Sequence, residues 1–179
     1  MLVPRKTFET ERLTLRRVTP DDAPAILGTW AQDPEVTRYL AWRPHRTLEE
    51  TEAYLEACDA AWREGRAYVW VIREKSTAAL VGSIAARAGA HGIDLGYLLA
   101  RKAWGRGLMA EAVEEVAKWA LAQTDVFRVW ATCDVENPAS ARVLEKAGFE
   151  LEGTLRRWDV HPNLADEPRD ALCYSRVKS

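Results

Sequence analysis

Cysteine, histidine and glycine are scarce in this chain, and so is any excess of charge of one sign. Its 179 residues include 3 Cys, 3 His and 10 Gly, with 25 Lys and Arg against 27 Asp and Glu. Cys58, Cys133 and Cys173 form an odd, widely spaced set, which excludes a disulfide framework and leaves reduced, mostly buried thiols as the expectation. His45, His91 and His161 have no ligand spacing around them, so no metal site is expected. A net charge of −2 offers no electrostatic footprint for nucleic acid. No apolar run approaches the roughly 20 residues of a membrane span. The opening Met1-Leu-Val-Pro-Arg-Lys6 has no apolar core of the kind an export signal needs, so a cytoplasmic protein is expected. Repeats, low-complexity tracts and linkers are lacking too. Residues 1–179 therefore read as one domain, with 47% hydrophobic residues to build its core.

What is present is an alternation of strand and helix signals. Arg12–Val18 alternates at period two, with Leu13 and Leu15 on one face. A helix is expected from near Asp21 to just before Asp33-Pro34. Thr47-Leu-Glu-Glu50 reads as a capping box. The helix it opens has Leu48, Thr51, Leu55, Cys58 and Trp62 on one face, a solvated face of Glu49, Glu52, Glu56 and Asp59, and Gly65 beyond its end. Strands are expected at Tyr68–Arg73, Leu80–Arg87, Ile93–Leu99 and Phe127–Cys133, with a helix over Met109–Leu121. Asn137-Pro138 reads as the cap and first residue of a helix that runs to Ala147 and closes at Gly148. Phe149–Leu155 and Ala171–Val177 complete a mixed α/β sheet.

The stretch from Asp94 to Ala112 carries the most chemical information. An apolar strand feeds a basic loop with Gly105 and Gly107, and a helix follows at once. Glycines let the backbone approach a ligand closely, and the free N–H groups of a helix start attract phosphate. Gly105-x-Gly107-x-x-Ala110 also fits a dinucleotide fingerprint. That loop normally opens its fold, however, and here several strand-like runs precede it. Asp125 and Asp134 also miss the place of the ribose-binding acid. Downstream lies a second, longer signature, Asn137-Pro-Ala-Ser-Ala-Arg-Val-Leu-Glu-Lys-Ala-Gly-Phe149, followed by Leu151-Glu-Gly-Thr-Leu-Arg156. Together with the glycine loop, these residues resemble the GNAT superfamily of acetyl-CoA-dependent N-acetyltransferases, and within it the RimJ/RimL-like branch. The resemblance runs from Thr10-Glu-Arg-Leu-Thr-Leu-Arg16 to Asp170-Ala-Leu-Cys-Tyr174.

The resemblance implies a central, mostly antiparallel twisted sheet with splayed parallel strands in the middle and flanking helices. It implies acetyl-CoA as acetyl donor, its pyrophosphate held by Trp104, Gly105, Arg106, Gly107, Leu108, Met109 and Ala110. At the family pattern Gln/Arg-x-x-Gly-x-Gly/Ala this chain has Trp104, Gly107 and Met109. Trp104 brings no charge, so backbone amides and Arg106 are expected to carry more. Pantetheine would lie along Tyr97, Leu98 and Leu99, with Asn137, Ser140 and Arg142 as further contacts. Ser140 is implied as the group that returns a proton to the departing thiolate; read from its position alone, it is equally a first-turn serine bonding its own backbone. Asp94 is the leading candidate base and Glu152 the second, each also readable as a structural carboxylate. Cys133, with no His nearby, is expected to be a packing thiol.

The acceptor expected from the resemblance is a primary amine, either a protein N-terminal α-amine or a small-molecule amine. An α-amine of pKa about 8 is roughly one-tenth neutral near pH 7, and a lysine amine of pKa about 10.4 far less so. A chain without a convincing catalytic carboxylate therefore leans toward α-amines and other low-pKa amines. Trp30, Arg38, Tyr39, Trp42 and Trp70 are candidates for the acceptor wall, with Trp158-Asp-Val-His-Pro-Asn163 as a flap over it. A monomer or homodimer without nucleic-acid or membrane partners is expected. The rival readings are a non-catalytic acetyl-CoA sensor and a dinucleotide-binding protein.

Overall fold

The computed structural model describes residues 3–90 and 92–178. Met1, Leu2, His91 and Ser179 lie outside the described residues, and with them the expectations that touched Met1, Leu2 and His91. The strands are β1 (Thr7–Glu9), β2 (Leu13–Arg17), β3 (Ala67–Glu74), β4 (Leu80–Ala88), β5 (Gly92–Leu99), β6 (Arg128–Asp134), β7 (Glu150–Asp159) and β8 (Arg169–Val177). They form one 8-stranded sheet in the order β1-β2-β3-β4-β5-β6-β8-β7. Neighbours pair antiparallel except β5 and β6. Those two are parallel because a helix, α4 (Leu108–Leu121), crosses over between them. The central splayed arrangement implied by the resemblance is the one observed.

Strand alternation sorts the core onto two faces. Tyr68, Trp70 and Ile72 of β3 join Leu13, Leu15, Ile93, Leu95 and Val113 in a cluster beneath α4. Val69 and Val71 point the other way, toward Ile26, Trp30, Leu55 and Cys58. Trp70 is therefore a core residue and not part of an acceptor wall, a correction that follows from strand parity. Its ring meets Phe8 at 5.2 Å and Trp119 at 5.6 Å, and its Nε1 donates to the Arg5 carbonyl at 2.8 Å. All three cysteines are free and buried. Among the described residues, no helix is long and apolar enough to cross a membrane.

The helix expected near Asp21 breaks into pieces. A 3-10 turn (Pro20–Asp22) leads into α1 (Ala23–Ile26), then a π-helical turn (Leu27–Ala31). After Asp33, whose carboxylate accepts from the Glu35 N–H at 3.0 Å, comes α2 (Pro34–Thr37). The helix opened by Thr47 is α3 (Leu48–Arg63), with Thr51, Leu55, Cys58 and Trp62 buried as expected. Thr47 Oγ1 accepts from the Glu50 N–H, while the Glu50 carboxylate takes the Arg46 N–H at 2.6 Å, so the box closes one residue early. Asp59, on the expected solvated face, pairs with Arg17 and with Arg63. The last helix is α5 (Pro138–Lys146).

The parallel pairing at the centre of the sheet is short. It comprises Gly92 with Arg128, Ile93 with Val129 and Asp94 with Trp130. On its outer side β5 stays paired to β4 as far as Leu99, and β6 stays paired to β8 as far as Asp134. Past Asp94 and Trp130 the inner edges of β5 and β6 therefore part, leaving an open wedge in the middle of the sheet.

Candidate active site

On the α4 side of the wedge, two hydroxyls meet. Tyr97 lies on the core-facing parity of β5 and packs against the cluster under α4. Helix α5 starts just after β6, with Asn137 Oδ1 accepting from the Ser140 N–H at 3.2 Å and Pro138 in the first turn. That cap sets Ser140 opposite β5, and its Oγ lies 2.8 Å from the Tyr97 hydroxyl. Burial raises the Tyr97 pKa against the bond from Ser140, so the group stays a phenol. Cys133, near the end of β6, lies close to Ser140; burial pushes its thiol up to about 11, which the nearby Ser140 hydroxyl only partly offsets. It is a protonated thiol at neutral pH.

The glycine loop continues from β5 through a 3-10 turn (Arg101–Ala103) into α4. Gly105 and Gly107 both have φ of 75°, a left-handed conformation that disfavours any side chain. Gly107 is the cap of α4, so the first N–H groups of the helix, beginning at Leu108, have no partner within it. Leu108, Met109 and Ala110 bury their side chains, so Met109 leaves the loop clear although it replaces a Gly or Ala of the family pattern. Left-handed glycines, free amides and a splayed strand edge suit a long thioester that ends in phosphates.

Arg106 corrects an expectation. Its guanidinium turns to Glu74 at the end of β3, with Nη1 3.1 Å from Oε2, so its charge is already paired and its backbone N–H is what remains for a phosphate. Trp104 is 46% exposed, and its Nε1 donates to the Leu99 carbonyl at 2.8 Å, which ties the loop to the end of β5. Arg142 is exposed on α5. Arg12 was missed by sequence reasoning. Its Nη1 donates to the Arg106 carbonyl at 2.9 Å and its Nε to Glu111 at 2.7 Å. Its place just before β2, far off in sequence, gave no sign of this contact.

The opposite side of the wedge is acidic. Asp94 accepts from Arg87 Nε at 2.7 Å, and the Arg87 guanidinium lies over Gly96, where a Cβ would come 2.8 Å from Nη2. Burial raises the Asp94 pKa, Arg87 pulls it down, and nearby Asp159 raises it further; the net direction is upward. Asp159 ends β7 and accepts from Thr132 Oγ1 of β6 at 3.0 Å. Carboxylates from β5 and β7 thus flank one mouth. Sequence reading had placed Asp159 in a flap, because an irregularity in β7 between Leu155 and Asp159 hid the strand's continuation. Glu152 is held by Ser175 Oγ and Arg128 Nη2, each at 2.7 Å, and these bonds keep its pKa below the usual carboxylate range. An anchored, low-pKa carboxylate is a poor base, so the geometry favours the structural reading of Glu152.

Trp42, His45 and Tyr54 gather at ring distances of 4.9 to 6.5 Å and, with Trp30, Ser83 and Leu98, line an apolar recess on this same face. The segment expected as a flap is tied to the chain at and after α2: Asn163 Nδ2 donates to the carbonyls of Thr37 at 2.7 Å and Trp42 at 2.8 Å. The Tyr39 hydroxyl reaches the Glu136 carbonyl at 2.8 Å, while Arg38 only stacks on Tyr39. Among the described residues, no cluster of three or more His, Cys, Asp or Glu side chains is placed to hold a metal ion.

Known proteins share this fold. Residues 12–150 match the family described as acetyltransferase (GNAT) domain. The uncharacterized N-acetyltransferase YoaA of Bacillus subtilis (strain 168) is 32% identical over 174 residues, covering 96% of each chain. The [ribosomal protein uS5]-alanine N-acetyltransferase of Escherichia coli (strain K12) is 26% identical over 162 residues, 84% of this chain and 81% of the relative. In three dimensions, RimL, a ribosomal L7/L12 alpha-N-protein acetyltransferase solved in complex with coenzyme A, superposes with a TM-score of 0.84 at 22% identity, covering 94% of this chain and 96% of that one. The chain belongs to the GNAT acetyltransferase family, as an N-acetyltransferase whose acetyl donor is acetyl-CoA.

Proposed function

We propose that the acceptor is an N-terminal α-amine or a small-molecule amine of comparable pKa, and that the acetyl group passes to it directly, within a ternary complex. The observation that carries this reading is the pairing of functions across the wedge: Tyr97 and Ser140 hydroxyls on the α4 side, Asp94 and Asp159 on the other. Free N–H groups of β5 near Tyr97, Leu98 and Leu99 would hold the pantetheine arm and polarise the thioester carbonyl. The amides of residues 104–110 would hold the pyrophosphate, with Asn137 and Arg142 as further contacts. Asp94, made more basic by burial, takes the proton of the incoming ammonium directly or through a water, and Asp159 helps to attract that cation. Ser140, bonded to Tyr97, returns a proton to the departing thiolate. The substrates named for the uS5 and L7/L12 enzymes support the α-amine choice.

The test is thiol release from acetyl-CoA with panels of peptides beginning in Ala or Ser and of small primary amines. Release should depend on acceptor, rise with pH as the amine loses its proton, and level off near the effective pKa of the amine or its base. Tight CoA binding without acceptor-dependent release across broad panels would make the sensor reading the better one. In a calorimetric titration CoA should saturate the protein and NAD should not; the reverse result would sink the donor reading.

A further inference from the structure

We infer that Arg12 is a positioning residue for acetyl-CoA: it fixes the phosphate loop in its binding shape and neutralises Glu111, the carboxylate in the first turn of the helix that opens there. The inference rests on the donor site proposed above and deepens it.

Three elements meet at this residue. Arg12 Nη1 donates to the Arg106 carbonyl at 2.9 Å, in the middle of the loop between its two left-handed glycines. The rest of its fork grips Glu111 of α4, with Nε and Nη2 each 2.7 Å from Oε2, and its backbone N–H meets Oε1 at 2.9 Å. Thr10 Oγ1 adds a bond to the same Oε1 at 2.5 Å. The guanidinium also lies close to Gly107, where a Cβ would sit 3.8 Å from Nη2. Lys75 holds the segment from behind, its N–H bonding the Arg12 carbonyl at 2.9 Å and its ammonium the Thr10 carbonyl at 2.6 Å.

Glu111 lies in the first turn of α4, beside the amides that would receive the pyrophosphate. A carboxylate there gains from the helix dipole, and for that reason competes with a phosphate for the same field. Burial raises the Glu111 pKa, but the bonds from Thr10 and Arg12 outweigh it, so the group is ionised at neutral pH. Arg12 converts that liability into an anchor. It spends one negative charge on a fork that also pins the loop, so the amides keep their direction and the phosphates meet no uncompensated anion.

A purely structural bridge and this electrostatic clamp differ in how they respond when the second partner is removed. CoA affinity is measured by calorimetry in the full chain, with the melting temperature of each variant alongside. Arg12→Ala should weaken CoA binding about 30-fold, the scale of one lost charge-assisted, bidentate contact and the anion it leaves bare. Glu111→Gln alone should tighten binding about threefold, because Arg12 is then free to face phosphate. Adding Glu111→Gln to Arg12→Ala should recover affinity to within about fivefold of wild type, since the repelling charge is gone. Equal weakening in the single and double variants would overturn the inference and leave Arg12 a simple strut. Arg12→Lys carries the comparison if Arg12→Ala does not fold, as it keeps the charge but cannot span both partners. About fivefold weaker binding supports the clamp, and wild-type affinity overturns it. Absence of CoA binding in the wild-type protein would instead sink the donor reading, and the clamp with it, before any variant is made.

Discussion

Ser140 and Cys133 are neighbours, yet their protonation chemistry separates them. A hydroxyl bonded to Tyr97 can relay a proton without changing charge, whereas a buried thiol held at about 11 offers almost no thiolate near pH 7. Ser140→Ala should slow turnover roughly 10²-fold, as loss of a general acid does. Cys133→Ala should keep most activity. An acetylated Cys133 that hands its acetyl group on to acceptor would sink direct transfer, and an unchanged rate in Ser140→Ala would leave the serine a helix-cap residue only. Asp94 makes a sharper case, because its pKa is raised in the fold. The folded protein then binds that proton more tightly than the unfolded chain, so stability falls as pH rises through this window and the ionised form at pH 7 is a cost. Asp94→Asn should reduce kcat/KM roughly 10²-fold while leaving the melting temperature unchanged or higher. Arg87, 52% exposed, can turn to water. A lower melting temperature with full activity would assign Asp94 to the fold alone.

At the scale of elements, the close approach of β4 to β5 shapes the wedge from its paired side. A Cβ on Gly82 would come 2.4 Å from the Leu98 carbonyl oxygen and 2.8 Å from Leu99 Cδ2. Gly82→Ala must therefore push Leu98 and Leu99 toward the wedge, and backbone yields less readily than a side-chain tip. It should cost about 1–3 kcal/mol and raise KM for acetyl-CoA more than KM for acceptor. Unaltered donor KM at reduced stability would show that the wedge tolerates the shift. Such close contacts are not legible in a sequence, whereas much else here was. The β strands around Trp70 and Leu95, the caps at Thr47 and Asn137 and the loop at Gly105 and Gly107 all announce themselves through period, cap chemistry and glycine. What stayed hidden depends on partners distant in the chain: Asp159 held by Thr132, Arg106 turned to Glu74, Arg12 on the loop. The fragmented helix after Pro20 escaped because its pieces, α1 and a π-helical turn, follow neither regular period. Trp70 was misplaced because aromatic residues suit core and cleft wall alike, and only strand parity decides between them.

Opening the sheet at its centre poses a problem for the whole molecule. The halves β1–β5 and β6–β8 share only the short parallel pairing from Gly92 to Asp94, so other contacts must hold them in register. Helices α4 and α5 do so on one face. On the other, Tyr39 and Asn163 clasp the 134–140 turn and the flap to the segment after α2. Asp134 sits at the root of that clasp. It is fully buried, accepts from Arg169 Nε of β8 at 2.6 Å, caps the turn through the Glu136 N–H at 2.8 Å, and lies 3.7 Å from His161 of the flap. Burial alone would raise its pKa, but Arg169 and the backbone bond outweigh it and hold the carboxyl below its ordinary range. Asp22 beside Arg16 is lowered in the same way. A carboxylate depressed in the fold contributes stability that is fully present above its unfolded pKa and is lost as pH falls through the folded one. The stability contributed by these two pairs should therefore be unchanged from pH 7 down to about 5 and be lost below about 4, where the melting temperature should drop. Asp134→Asn leaves Arg169 without its buried partner and should cost about 3 kcal/mol at pH 7. For a domain of this size that is a fall of about 8 °C. Because the variant has already lost what acid removes, its melting curve should approach that of the wild type as pH falls. Two curves that stay parallel from pH 7 to 3 would show that the acid sensitivity of this fold arises elsewhere, and that the buried pair at the root of α5 does not govern how the two halves of the sheet are held together.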